Sequence, residues 1–171
     1  MRVCACVATR RCLRKMGLNP SYFASLPDTL VGPVSVVVQD GAVVRLEWAL
    51  ISGPSDPVAD AAVDQLAEYF AGKRQVFDLP LAPQVSDLQR KFGAALCEIP
   101  FGETRTYGDL AKDLGVPAQA IGQACGANPI AIIVPCHRVL GAASLGGFSG
   151  AGGIEGKVQL LRHEGAASLL I

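Results

Sequence analysis

The chain has 171 residues, half of them apolar and only 18% charged, with a mean hydropathy of +0.35. Domains of about 100 to 150 residues leave no room for a long multidomain machine, and that apolar content excludes disorder over most of the length. Fifteen Lys and Arg balance fifteen Asp and Glu, so no bulk field attracts a polyanion and any nucleic-acid binding must come from a local patch.

The first residues are basic and acid-free, carrying Arg2, Arg10, Arg11, Arg14 and Lys15. Residues 1–27 are read as an N-terminal extension, poorly ordered on composition. Cysteines at 4, 6, 12, 97, 125 and 136 form no regularly spaced framework, and a chain of this length does not depend on disulfide staples. Cys4, Cys6 and Cys12 lack a nearby fourth ligand and both histidines lie far away, so no metal is expected. No apolar run approaches the ~18–20 residues of a membrane span. The expectation is a soluble protein of the reducing cytoplasm that engages no membrane.

Along residues 28–84 the signals are those of a small α+β unit. Val34 to Gln39 is β-branched, Asp40-Gly41 is a hairpin turn, and Ala42 to Trp48 alternates again. Asp56-Pro57 opens a helix whose apolar stripe is Val58, Ala62, Leu66, Tyr69 and Phe70, closed by Gly72. Val76 to Leu81 reads as a short strand, and Pro80 and Pro83 mark a linker.

Residues 85–171 read as mostly helical. Ser86 caps a helix with the stripe Leu88, Phe92, Ala95 and Leu96, stopped at Ile99-Pro100. Thr106-Tyr107-Gly108-Asp109 fits a capping box and starts a helix through Leu114, ended by Gly115 before Pro117 opens another. Two short helices around a glycine-containing turn predict a helix-turn-helix. The second, Ala118 to Ala127, is built almost entirely of small side chains. Glycine there costs about 1 kcal/mol relative to alanine, so close approach must compensate. Two explanations stay open: tight packing on a neighbouring helix, or insertion into a narrow groove such as the roughly 6 Å minor groove of DNA.

Asn128-Pro129 breaks that helix, Ile130 to Val134 reads as a short buried strand, and Pro135-Cys136-His137-Arg138 follows. Alone, adjacent Cys and His is a weak signal, because a buried thiol is usually inert packing. Extended backbone would also point the two side chains to opposite faces. A bridging water or a turn is needed to connect them.

Taken together these segments resemble one family, the O6-alkylguanine-DNA alkyltransferases, also called methylated-DNA–protein-cysteine methyltransferases. The resemblance rests on Ile99-Pro100-Phe101-Gly102-Glu103-Thr104, Tyr107-Gly108-Asp109-Leu110-Ala111, Asn128-Pro129, Ile132-Ile133-Val134-Pro135-Cys136-His137-Arg138-Val139 and Leu160-Leu161-Arg162-His163-Glu164-Gly165. It covers residues 86–165 well and 28–84 loosely. The implied fold is α+β: a small antiparallel sheet plus helix, ribonuclease-H-like, followed by a catalytic and DNA-binding unit with a helix-turn-helix and a short buried active-site strand.

The resemblance implies a repair protein that acts once. Cys136 would take the alkyl group from guanine O6, and possible substrates extend to O4-alkylthymine. His137 would accept the thiol proton through a water, Glu164 would orient His137, and Tyr107 would donate a hydrogen bond to the base, in triad logic. Phe148 and Ser149 would contact the guanine with Tyr107, and Lys157 would sit near the pocket mouth. Thr106, Ala118, Gln119, Ala120, Gly122 and Arg138 would meet DNA, and Asn128 would tie the recognition helix to the cysteine strand. The implied partner is alkylated double-stranded DNA, entered by the minor groove by a monomer without cofactor. Gln119 stands where the family usually has an arginine, Gly93 where a tryptophan is common and Phe148 where a tyrosine is common.

A different class, a non-catalytic or weakly active sensor that binds alkylated bases, is the alternative, and Cys136 argues against it. A transcriptional regulator would need an additional DNA-binding domain, and a thiol redox enzyme would need a Cys-x-x-Cys.

Overall fold

The computed structural model describes residues 20–166. The N-terminal cysteines and the basic residues around them lie outside these. Three strands, β1 (Ser21–Leu26), β2 (Val34–Gln39) and β3 (Ala42–Glu47), form an antiparallel sheet in the order β1-β2-β3. The Asp40-Gly41 hairpin forms as the sequence predicts, with both residues at positive φ, 49° and 78°, the twist that a two-residue turn requires. β1 corrects the expectation of a poorly ordered extension over residues 1–27, because Ser21–Leu26 is a strand. It pairs residue for residue from Ser21–Gln39 to Leu26–Val34, because the valines of central β2 demand a neighbour on each edge.

Helix α1 (Pro57–Phe70) is capped by the Asp56 carboxylate, which accepts from the amides of Val58 and Ala59. Ala59, Ala62, Leu66 and Tyr69 form its buried face against the sheet, the 3-4-3 spacing of a helix stripe. Full burial of Leu66 contributes about 1.5–3 kcal/mol. The strand expected at Val76–Leu81 does not form. Only Leu81 bridges to Val43, with Val43 N donating to the Pro80 carbonyl and Ala82 N to the Val43 carbonyl. Pro80 has no N–H to extend that ladder.

Helix α2 (Asp87–Cys97) starts at Ser86, whose hydroxyl accepts from Gln89 N, and buries Phe92 and Leu96. Leu88, expected in the stripe, is exposed on its first turn. The predicted helix-turn-helix is present as α3 (Tyr107–Leu114) and α4 (Ala118–Gly126). Thr106 and Asp109 make a reciprocal capping box, and Gly115 ends α3 at φ 65°. Ahead of α3, β4 (Arg105–Thr106) pairs in parallel with β5 (Val139–Leu140).

The buried strand expected at Ile130–Val134 is a turn. All five residues are buried, but Ile133 N donates to Ala131 O, Val134 N to Ile130 O, and Ile132 sits at φ 72°. A short apolar run reports burial and leaves the backbone path open; here Pro129 and Pro135 bracket the run, and among the described residues no neighbouring strand pairs with it. A 3₁₀ turn at Cys136–Arg138 follows, then β5, and α5 (Ile154–His163) closes the fold. One continuous apolar cluster includes Val36 and Val38 of β2, Leu66 and Tyr69 of α1, Phe92 of α2, Ile121 of α4 and Leu160 of α5. Among the described residues, no helix is long and apolar enough to cross a membrane.

Candidate active site

The 3₁₀ turn decides how adjacent Cys136 and His137 diverge. Cys136 N donates to the Val134 carbonyl and the residue is 4% exposed, at the floor of a cleft of about 610 Å³. Tyr107, the first residue of α3, forms one wall. Ala118, Gln119, Gly122, Cys125 and Gly126 of α4 form another, and Gly147, Phe148 and Ser149 form the facing loop. A Cβ added at Gly122 or Gly126 would meet nothing within 4 Å. Helix packing therefore does not demand these glycines, which answers one of the two explanations for the small-residue helix.

The His137 side chain is fully buried. Its Nε2 lies 2.8 Å from Oε1 of Glu164 with both side chains fully buried. Donation from Nε2 to the carboxylate leaves Nδ1 with the lone pair, and Nδ1 is buried with no hydrogen-bond partner among the described residues. Glu164 is held on every side. Oε1 also accepts from the Tyr69 hydroxyl at 2.7 Å and Arg138 Nη2 at 3.0 Å; Oε2 accepts from Arg138 Nε at 2.7 Å and Gly102 N at 3.4 Å.

The electrostatics follow from burial and partners. Burial alone would raise the Glu164 carboxyl, but donation from His137 and Arg138 outweighs it and holds the group at about 2. Burial lowers His137 and outweighs the opposing pull of Glu164, which favours the neutral imidazole. Burial pushes the Cys136 thiol up, while the Asn128 amide and the Lys157 charge draw it down. Tyr107 is pushed up to about 12 by burial and by Cys125 and Cys136, which keeps its hydroxyl a donor at neutral pH.

Of the residues expected at the site, Cys136, Tyr107, Phe148, Ser149, Ala118, Gln119 and Gly122 line the cleft. Ala120, half-buried, and Thr106, the cap of α3, lie outside that lining. Asn128 ties helix to turn: its Nδ2 donates to the Val134 carbonyl at 2.8 Å and its Oδ1 accepts from Ile130 N at 3.2 Å.

Two expectations are corrected. Lys157 is fully buried beneath the cleft, away from its mouth, and its Nζ donates to the Val139 carbonyl at 2.6 Å and the Gly147 carbonyl at 3.3 Å. An ammonium that bridges two backbone segments ties the loop to β5, and Lys157 is not among the residues that line the cleft. Arg138, expected to meet DNA, is turned inward, because Glu164 would otherwise be a buried carboxylate without a cation. Its Nη1 donates to the Ile99 carbonyl at 2.6 Å.

Sequence reasoning missed three residues here: Tyr69 on Glu164, Cys125 in the cleft wall, and Trp48, whose ring meets Phe148 edge-on at 5.9 Å. Tyr69 and Glu164 are 95 positions apart, and a helix stripe does not distinguish a hydroxyl with a distant partner from ordinary core. Among the described residues, no group of three or more His, Cys, Asp or Glu side chains could hold a metal ion.

What fold and site define is a helix-turn-helix laid over a thiol-floored cleft, with a buried imidazole–carboxylate pair behind the thiol. Residues 87–166 match the family model for the 6-O-methylguanine DNA methyltransferase DNA-binding domain. The chain is 47% identical over 123 residues to the methylated-DNA–protein-cysteine methyltransferase of Mycobacterium bovis, covering 70% of this chain and 71% of that one. It is 51% identical over 105 residues to that of Methanosarcina acetivorans, spanning 60% of this chain and 66% of the relative's length. Among solved structures, that of Mycobacterium tuberculosis O6-methylguanine methyltransferase superposes with a TM-score of 0.74 at 39% identity, covering 86% of this chain and 94% of that one. Mycobacterium tuberculosis OGT in complex with DNA gives the same score and identity, covering 87% and 96%. The chain belongs to the methylated-DNA–protein-cysteine methyltransferase family.

Proposed function

We propose that this protein repairs DNA by moving an alkyl group from guanine O6 onto Cys136 in one irreversible turnover, as a cytoplasmic monomer that enters the minor groove. The observation that carries this reading is the cleft itself, with Cys136 at its floor, the helix-turn-helix on its wall and the His137–Glu164 pair behind it. Residues 85–171 would supply both the chemistry and the DNA contacts.

Attack on a saturated carbon needs a thiolate, and a thiol pushed up by burial needs a base. His137 Nδ1, buried and unpartnered among the described residues, accepts the Cys136 proton through one water. Glu164 fixes the tautomer and stabilises the resulting imidazolium. The thiolate forms the S–C bond as the C–O6 bond breaks, and the electron pair passes to guanine. The Tyr107 hydroxyl donates to the departing base, and solvent restores the guanine proton as His137 releases its own. The thioether has no hydrolytic route back to the thiol under mild conditions, so each molecule acts once.

The alkyl carbon lies inside the duplex stack, so the nucleotide must be flipped at a cost of a few kcal/mol. Open space beside Gly122 and Gly126 suits a closely approaching backbone in a narrow groove. Exposed Gln119 lies on the cleft wall, where it would hydrogen bond to the orphaned cytosine.

The test is incubation with duplex DNA carrying one O6-methylguanine, followed by intact and peptide masses. One methyl group on Cys136, saturating at one per protein and absent from Cys136→Ala, is expected. Lesion-dependent binding with no mass gain would make this a damage sensor and overturn the reading.

A further inference from the structure

We propose that Tyr69, on α1 and remote in sequence from the cysteine turn, is a positioning residue for the alkyl-transfer relay, its hydroxyl holding Oε1 of Glu164 against Nε2 of His137. The proposal rests on the reading that His137 takes the Cys136 proton.

The two ends of Tyr69 are tied to consecutive residues at the end of α5. Its carbonyl accepts from His163 Nε2 at 2.7 Å, and its hydroxyl donates to Glu164 Oε1 at 2.7 Å. The ring is packed by Phe70, Phe77, Phe101 and His163 at centroid separations of 5.2, 5.5, 6.1 and 5.0 Å. A side chain held so firmly carries its hydrogen bond as a fixed direction rather than as one option among rotamers.

The oxygen that Tyr69 selects matters. Arg138 spans both carboxylate oxygens, so it neutralises Glu164 without favouring either. Tyr69 donates to Oε1, the oxygen that His137 uses. A donor on that oxygen draws off part of the charge that an imidazolium would otherwise enjoy, and so lowers the proton affinity of His137 and keeps it available as a base. The charged and titratable groups around this pair are Arg138 and His137 on the turn, Tyr69 on α1, His163 beside it and Lys157 from α5, with Cys97 near the Arg138 charge.

The experiment follows single-turnover benzyl transfer from free O6-benzylguanine to the full-length protein across about pH 5 to 9, where a general base displays its acid limb. Tyr69→Phe keeps the ring and removes only the donor. We expect transfer at neutral pH to slow by about tenfold, the order of one hydrogen bond to a charged group, and the acid limb to move upward because His137 becomes more basic. Leu46→Ala, a destabilising core change on β3 outside the aromatic packing of the Tyr69 ring, is expected to leave the limb in place. In a Glu164→Gln background, Tyr69→Phe should produce no further shift. A Tyr69→Phe profile superimposable on wild type, or the same limb shift in Leu46→Ala, would overturn the proposal. Persistence of the wild-type acid limb in His137→Ala would overturn the relay reading itself, and the two failures are thereby distinguished.

Discussion

Nε2 of His137 and Oε1 of Glu164 lie 2.8 Å apart with neither side chain exposed, and the same carboxylate is bound by the buried Arg138 guanidinium. A pair built this way ties stability to pH. Glu164 is lowered from 4.5 to about 2, so its contribution is fully present above the unfolded value and is lost as pH falls from about 4.5 toward 2. His137 is lowered as well, so its contribution is present above about 6.5 and declines as pH falls below that. Urea unfolding as a function of pH should show stability falling from near pH 6.5, with about 3 kcal/mol attached to Glu164 alone at 1.36 kcal/mol per unit. Glu164→Gln should lose the lower part of that dependence.

Gly146 has φ 68°, and a Cβ there would come within 2.6 Å of the Tyr107 hydroxyl and Cε2. Gly146→Ala must displace the Tyr107 ring or the loop as well as place alanine in left-handed backbone, which costs about 1–2 kcal/mol. Alkyl transfer should fall by about 10²-fold, the lower end of what one lost donor to a developing charge costs. The melting temperature should drop only by about 2–8 °C. Wild-type transfer in this variant would remove Tyr107 from the mechanism.

Gln119 lies exposed on the α4 wall of the cleft and brings no charge to the negative potential of a minor groove. Gln119→Arg is therefore expected to speed repair of duplex DNA by several-fold at low salt, with the advantage shrinking as salt rises. Reaction with free O6-benzylguanine should not change. Equal acceleration of both substrates would show that this position acts on chemistry rather than on the extruded nucleotide.

Gly93 lies inside α2 beside a groove of about 220 Å³, and a Cβ added there would sit 3.8 Å from Val134 Cγ1, an ordinary contact. Gly93→Ala should gain about 1 kcal/mol of helix propensity and raise the melting temperature by roughly 2–4 °C. Alkyl transfer should be unchanged. Thermal unfolding monitored by circular dichroism, beside the mass assay, checks both halves of the expectation.

Local chemistry made several elements readable in the residues themselves. The Asp40-Gly41 turn, the Asp56 and Ser86 caps, the Thr106–Asp109 capping box and the Gly115 stop each act within a few residues, so the sequence predicts their helices and hairpin nearly to the residue. The motif around Cys136 likewise carries the family resemblance in its residues alone. β1 was hidden because its partner is decided by pairing with β2. The Ile130–Val134 turn was hidden because a run of buried apolar residues looks the same whether it is paired or folded back.

Side-chain direction was decided only by the tertiary structure. Arg138 ends the cysteine turn and suggests a hand for DNA, yet a carboxylate 26 positions away claims it. Lys157 is a charged residue that the fold buries to hold two carbonyls. Tyr69 is indistinguishable from core until α1 packs against the end of α5. A sequence by itself determines which groups a chain owns and how its nearest neighbours bend. Which groups meet is decided by packing, because a buried charge or hydroxyl must find its partner wherever the fold brings one within hydrogen-bond reach.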